Sequence, residues 1–215
     1  FLDQTYRRES GRCAFYQTTT ETMEEIESLL GELNGEAFQT TMSDLWTSVQ
    51  ELSKDPSSSV TQGLLVQRAE EFVERAVNIY DGMTFYQDNL NVQLKQHVDK
   101  INDYGKKIME LNEQIRKIEV GGIEHANDLR DVRNGLLDEL AELVDIKTNE
   151  NIYGDVDIQI EGVDFIKGER NFEIMLQTDE STGFYTPFWP QNASYKILSD
   201  GSREYNIDGA EVFDL

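Results

Sequence analysis

Cysteine, proline, histidine and basic side chains are all scarce in this chain of 215 residues. A single cysteine, Cys13, excludes an internal disulfide and any cysteine-rich metal site, and no identifiable base accompanies it. The two histidines, His97 and His125, stand in neither HxxxH nor HExxH spacing, so neither reads as a zinc ligand. Lys plus Arg number 19 against 42 Asp plus Glu, a formal charge of −23. That balance argues against a nucleic-acid or anionic-membrane partner, because such binding draws most of its affinity from Lys and Arg on phosphates. No stretch approaches the roughly 18 apolar residues of a membrane-spanning helix. GxSxG, GxGxxG and GKS/GKT motifs are missing, and acid pairs such as Glu24 and Glu25 are expected by chance in so acidic a chain. No cofactor, no metal and no catalysis are expected. The start, FLDQTYRRES, has neither an initiator Met nor the apolar core of a secretory signal and reads as a trimmed fragment.

Hydrophobic residues make up 38%, below the ~45–50% of an ordinary globular domain, so the core should be thin. An elongated helical shape reconciles a thin core with order, and 10% aromatic content argues against a disordered acidic chain. Composition changes near residue 148. Residues 151–215 hold ten of the 21 aromatics and two of the three prolines, while net charge divides as −14 for 1–150 and −9 for 151–215. The expected architecture is α+β and multi-domain: an elongated α-helical rod over 1–147, with one long helix packed against shorter antiparallel helices, then a β-rich outer domain over 148–215 that reads as incomplete.

In the first part, Thr20 and Glu21 open a short amphipathic helix with Met23, Ile26, Leu29 and Leu30, closed by Gly31. A second helix runs from about Gly35 to Ser53, burying Phe38, Met42, Leu45, Val49 and Leu52, and Asp55-Pro56 stops it, with Pro56 placed to start the next. From Ser57 to about Glu119 apolar residues recur at Phe72, Ala76, Ile79, Met83, Tyr86, Leu90 and Leu94, then through His97 to Ile101, Tyr104, Ile108, Leu111, Ile115 and Ile118. This reads as one helix of roughly 95 Å at ~1.5 Å per residue. The repeated step of four at Leu90–Leu94 is a stutter, and a bend near Tyr80-Asp81-Gly82 is the rival reading. After Gly121-Gly122, Asn127 is the expected N-cap of a helix to residue 146 with the stripe Leu129, Val132, Leu136, Leu140 and Leu143, packed antiparallel on the long one.

The second part alternates. Val156, Ile158 and Ile160 interleave with Asp155, Asp157 and Gln159; Gly162 and Gly168 bracket a VDFIK run; Phe172, Ile174 and Leu176 make another strand; and Asp200-Gly201 joins the two arms of a hairpin. Asp155 and Asp157 share a strand face that could suit calcium, but a solvated face is the preferred reading. The segment from Asp200 fails the calcium-loop pattern at Tyr205, which stands where the loop needs its glycine. Asn192-Ala193-Ser194 has the glycosylation pattern, which arises often by chance. The aromatics Phe184, Tyr185, Phe188 and Trp189 read as core, with a carbohydrate-binding adhesin on a helical stalk as the alternative function. An enzyme working through His97 or His125 has the least support.

Charge placement adds a contact hypothesis. Residues 95–117 carry Lys95, Lys100, Lys106, Lys107, Arg116 and Lys117 against Asp99, Asp103, Glu110 and Glu113, whereas residues 21–36 carry six acids and no base. These segments are expected to face each other, within one chain or between copies, setting alignment more than strength.

The stretch NDLRDVRNGLLDELAELVDI, residues 127–146, resembles the signature of the flagellar hook-associated protein 1 family, the FlgK type. Its matching residues are Asn127, Asp128, Leu129, Asp131, Arg133, Leu136, Leu137, Glu139 and Leu140. Three further segments resemble the family in order: FLDQTYRRES, LWTSVQELSKDPSSSVTQGLLVQRAEEF, and INDYGKKIMELNEQI with its Asn after an apolar residue. Val132 and Asn134 depart from the Gln and Asp often found there, and Gly135 weakens the helix. The resemblance covers residues 1 to about 147. It implies a structural protein of the hook–filament junction, exported through the flagellar secretion channel without a cleaved signal and located outside the cell. Implied partners are other copies of itself, the hook protein and the second junction protein, with subunit contacts sought at Lys95, Lys100, Lys106 and Lys107. The family's terminal polymerisation helices are expected to be missing from this fragment, leaving it monomeric.

Overall fold

The computed structural model describes residues 2–31, 38–120 and 125–212. Gly35, the Gly121-Gly122 pair and Leu215 lie outside the described residues. Four helices come first: α1 Leu2–Leu30, α2 Phe38–Lys54, α3 Ser59–Glu119 and α4 Asn127–Leu143. Eight strands follow: β1 Ile146–Glu150, β2 Val156–Ile160, β3 Val163–Lys167, β4 Arg170–Asn171, β5 Met175–Thr178, β6 Tyr185–Phe188, β7 Ser194–Ile197 and β8 Arg203–Asn206. The fold is α+β, helices then antiparallel strands. Two compact units result, one of Phe1–Tyr16 with Asn91–Leu215, the other of Gln17–Leu90.

The 17–90 unit is thinly packed. Among its described residues no apolar side chain is fully buried, and Ser48 is buried instead, donating to the Leu45 carbonyl. The Phe38 and Phe72 rings meet at 5.3 Å, and Arg68 bridges Asp44 and Glu71. Met42 and Val49, expected on the buried stripe of α2, are exposed, as is Trp46. Pro56 sits in the turn before α3 rather than at its start, where Thr61 Oγ1 donates to the Asp55 carbonyl and Gln62 Nε2 to the Pro56 carbonyl. Helix α1 closes as expected at Gly31, whose N–H reaches the carbonyls of Glu27 and Ser28 at φ 73°. It begins far earlier than Thr20. The added turns belong to the other unit, where Arg7 pairs with Asp138 at 2.7 Å and Gly11 lies against the Ala141 carbonyl. Tertiary packing on α4, not a local apolar stripe, holds that segment helical.

The hydrophobic core lies in the other unit. Val98, Ile101, Tyr104 and Ile108 of α3 and Leu137 and Leu140 of α4 pack with Val156, Ile158 and Ile160 of β2, Phe165 and Ile166 of β3, and Trp189. β1–β2–β3–β4 form one antiparallel sheet, β5–β6 and β7–β8 two separate hairpins. The β2 alternation is as read from the sequence, with all three of Val156, Ile158 and Ile160 buried. Glu161 and Gly162, both at positive φ, make the two-residue turn into β3. Phe172 and Ile174 fall outside any strand, between β4 and β5, while Asp200-Gly201 joins β7 to β8 as expected.

α3 is helical without interruption from Ser59 to Glu119, through Tyr80-Asp81-Gly82. Its buried face differs from the sequence reading. Ile101, Ile108 and Ile115 hold, but His97 is exposed and Val98 takes its place, Gly105 joins Tyr104, Asn112 replaces Leu111, and Ile118 is exposed. The face toward the sheets demands a close approach and hydrogen-bonding groups, which apolar periodicity does not register.

Candidate functional site

The signature helix α4 carries an arginine on its buried face. Arg133 is 2% exposed and the expected stripe residue Val132 is 56% exposed. The inward positions are therefore Arg133, Leu137, Leu140 and Ala141: Leu140 is where the predicted stripe put it, while Arg133 and Leu137 stand one residue past Val132 and Leu136. Arg133 Nη1 donates to Asn112 Oδ1 at 2.8 Å and to the Gly154 carbonyl at 2.6 Å, and Nη2 reaches Glu150 Oε1 at 3.3 Å. One side chain thus ties α4 to α3, to the β1–β2 turn and to β1. Burial pulls its pKa down, against the opposing pull of Glu150.

A second pair secures the start of the helix. Asn127 is not the cap; Ala126 holds that position without a side-chain bond, and its N–H donates to Glu119 Oε1 at 3.0 Å. Arg130 donates to both oxygens of Glu119, at 2.9 and 2.6 Å, and to Glu150. These donors hold the Glu119 carboxyl down to about 2, and the two carboxylates raise Arg130. The other signature residues are simpler: Asn127, Asp128 and Asp131 are exposed, Leu129 and Leu136 half-buried, Leu137 and Leu140 in the core, and Glu139 accepts the Tyr104 hydroxyl.

Three asparagines of α3 grip backbone of the strand region. Asn112 Nδ2 donates to the Val156 carbonyl at 3.0 Å and its Oδ1 accepts the Val156 N–H at 3.1 Å. Asn102 does the same to Ile174, at 2.9 Å both ways. Asn91 Nδ2 donates to the Gly183 carbonyl and its Oδ1 accepts the Tyr185 N–H, again at 2.9 Å each. Sequence reading noted Asn after an apolar residue at Asn102 and Asn112 without seeing the role, which requires knowing what the helix faces.

The basic stretch is engaged within its own unit. Lys106 pairs with Glu173 at 2.8 Å, Lys107 with Asp103 at 2.6 Å, Lys117 with Glu113 at 2.6 Å, and Arg116 with Asp155 and Glu169. Lys100 stands over the Tyr104 ring at 5.3 Å, and Lys95 is exposed. Asp155, read as part of a solvated face, is buried just before β2 against Arg116, and Asp157 accepts the Gly168 N–H. Among the described residues no group of three or more His, Cys, Asp or Glu is placed to hold a metal ion, and no helix is long and apolar enough to cross a membrane. Phe188 and Trp189 are core side chains, each 1% exposed, so they present no face to a sugar.

Comparison with known proteins agrees with the signature. The family model described as the flagellar hook-associated protein FlgK helical domain matches residues 23–204, well past the point where the sequence resemblance ended. Flagellar hook-associated protein 1 of Bacillus subtilis (strain 168) is 29% identical over 154 residues, covering 72% of this chain and 30% of that protein. The Escherichia coli (strain K12) protein of the same name is 28% identical over 130 residues, 60% of this chain and 24% of the relative. The chain therefore spans under a third of the length of these relatives. The flagellar hook junction protein FlgK from Burkholderia pseudomallei has the same fold, with a TM-score of 0.70 at 16% identity over 97% of this chain and 37% of that one. This chain belongs to the FlgK family of flagellar hook-associated proteins, matching its helical domain.

Proposed function

We propose that this chain is the helical domain of a structural, non-catalytic protein that assembles with other copies of itself at the junction between hook and filament of the bacterial flagellum. Family membership carries the reading. The 17–90 unit supports it physically: Met42, Trp46 and Val49 on α2 and Val66, Val73, Val77 and Tyr80 on α3 are exposed at helical spacing in a unit with no fully buried apolar side chain among its described residues. Faces of this kind are stabilised by packing against other helices. The hook protein and the second junction protein are the proposed neighbours, and export through the flagellar secretion channel without a cleaved signal is the proposed route. Lys95, Lys100, Lys106 and Lys107 are proposed to contribute at subunit contacts.

The test uses the full-length protein in its own cell. Removing it should leave hooks without filaments, with filament subunits lost to the medium and motility abolished. Trp46→Asp in the full-length protein should weaken filament retention while its secretion continues. Normal filaments and swimming in the deletion strain would overturn the proposal.

A further inference from the structure

Among the described residues the three sheets share no strand ladder, and only an isolated bridge, Phe188 to Glu211, joins β6 to the segment after β8. What the first two sheets do share is α3. Val156 lies beyond the last β2–β3 pair, Ile158 with Ile166, and Asn112 takes up both of its backbone groups. Ile174, which immediately precedes β5, gives both of its groups to Asn102. Where β6 begins, Asn91 takes the Gly183 carbonyl and the Tyr185 N–H. Asn112 and Asn102 thus do what a residue of a neighbouring strand does in a hydrogen-bonded antiparallel pair, exchanging an acceptor and a donor with one residue, while Asn91 offers the same two groups to the residues on either side of Phe184. A continuous α-helix sets the spacing of these three side chains rigidly, at ~1.5 Å per residue.

We propose that the α3 segment from Asn91 to Asn112 couples the four-stranded sheet and the β5–β6 hairpin into one cooperative unit, so that all three backbone clamps open together or not at all. Two features favour joint over separate opening. Ile101 and Ile108, on the same helix, are fully buried in a core that also contains Ile158, Phe165 and Ile174, so the clamped segments cannot leave the helix singly without uncovering shared apolar surface. Gly105, between the Asn102 and Asn112 clamps, is in close contact with Phe165 and Asn171, which ties the β3–β4 region to the same stretch.

Native-state hydrogen exchange on the 215-residue chain tests this, reading the amides of Val156, Ile174 and Tyr185, the three that donate to asparagine oxygens. In the unsubstituted protein these amides should share one opening free energy and one denaturant dependence. Asn102→Ala, which does not touch the Arg133 network, should accelerate exchange at all three by a common factor of about ten or more, from the loss of two hydrogen bonds. Acceleration confined to Ile174, with Val156 and Tyr185 unchanged, overturns the proposal. Should Asn102→Ala not fold, the unsubstituted protein still decides: three different denaturant slopes mean independent opening, and one slope means coupling.

Discussion

Gly105 of α3 faces Phe165 of β3 so closely that a Cβ on the glycine would lie 2.5 Å from Phe165 Cζ and 2.7 Å from Asn171 Oδ1. The mid-helix glycine costs about 1 kcal/mol of helix propensity relative to alanine, yet it lets the sheet sit directly on the helix backbone. Gly105→Ala should therefore destabilise by about 1–3 kcal/mol through overpacking. Gly135, mid-α4 and exposed, has nothing within 4 Å of its hypothetical Cβ. Gly135→Ala should stabilise by about 0.5–1 kcal/mol. Urea unfolding of the pair measures both, and equal effects at the two sites would refute the packing account.

Arg133 is buried with donors to Asn112, the Gly154 carbonyl and Glu150, a planar fork that lysine cannot reproduce. Arg133→Ala should cost about 2–5 kcal/mol, since it takes a buried donor from the Gly154 carbonyl and from Asn112 Oδ1. Arg133→Lys should recover less than half of that in the same chemical denaturation experiment.

Glu119 makes the unit acid-sensitive. Its carboxyl in the folded state is held at about 2, below the ordinary carboxylate range, first by Arg130 and then by the Ala126 N–H. A depressed pKa contributes stability that is fully present above about pH 5 and lost as pH falls toward 2. Glu119→Gln should lower the thermal midpoint at pH 7, with the gap to the unsubstituted protein narrowing steadily below pH 5. A gap that stays constant down to pH 2.5 would show that Glu119 does not drive this limb.

Trp46 and Trp189 have opposite fates despite identical chemistry, one 64% and the other 1% exposed. Trp189→Ala should remove about 3–5 kcal/mol and Trp46→Ala under about 0.5 kcal/mol, read by thermal unfolding. A large loss at Trp46 in the isolated chain would contradict its placement as an assembly-facing residue.

Charge reversal of Lys106 and Lys107 separates internal from intersubunit roles. Their pairs with Glu173 and Asp103 are exposed and screened by solvent, so the isolated chain should lose little stability. If the two lysines also contact neighbouring copies, the full-length variant should assemble with altered salt sensitivity; unchanged assembly and salt response would remove that role.

Much of this protein was legible in its sequence because the signals are local. The long proline-free helix, the Asp55-Pro56 break, the Gly31 stop, the β2 alternation and the Asp200-Gly201 hairpin each depend on a few neighbouring residues and their backbone preferences. The family, too, could be read from α4, since NDLRDVRNGLLDELAELVDI is a contiguous pattern. Where burial had to be assigned, periodicity succeeded only for apolar contacts: Ile101, Ile108 and Ile115 were found, while Asn112 and Arg133 were not.

Tertiary structure decided the rest, for one physical reason. A buried backbone needs hydrogen-bond partners, and the sequence does not say which segments will be short of them until the elements are placed together. Only then do Asn91, Asn102 and Asn112 become clamps, Arg133 a buried tie and Asp155 a buried counter-ion. The same placement makes Gly105 a point of contact and extends α1 back to Leu2, through packing that no local pattern announces. The scarcity of cysteine, proline and basic residues set the class of molecule; which polar side chains the fold would enclose was settled by what lay opposite them.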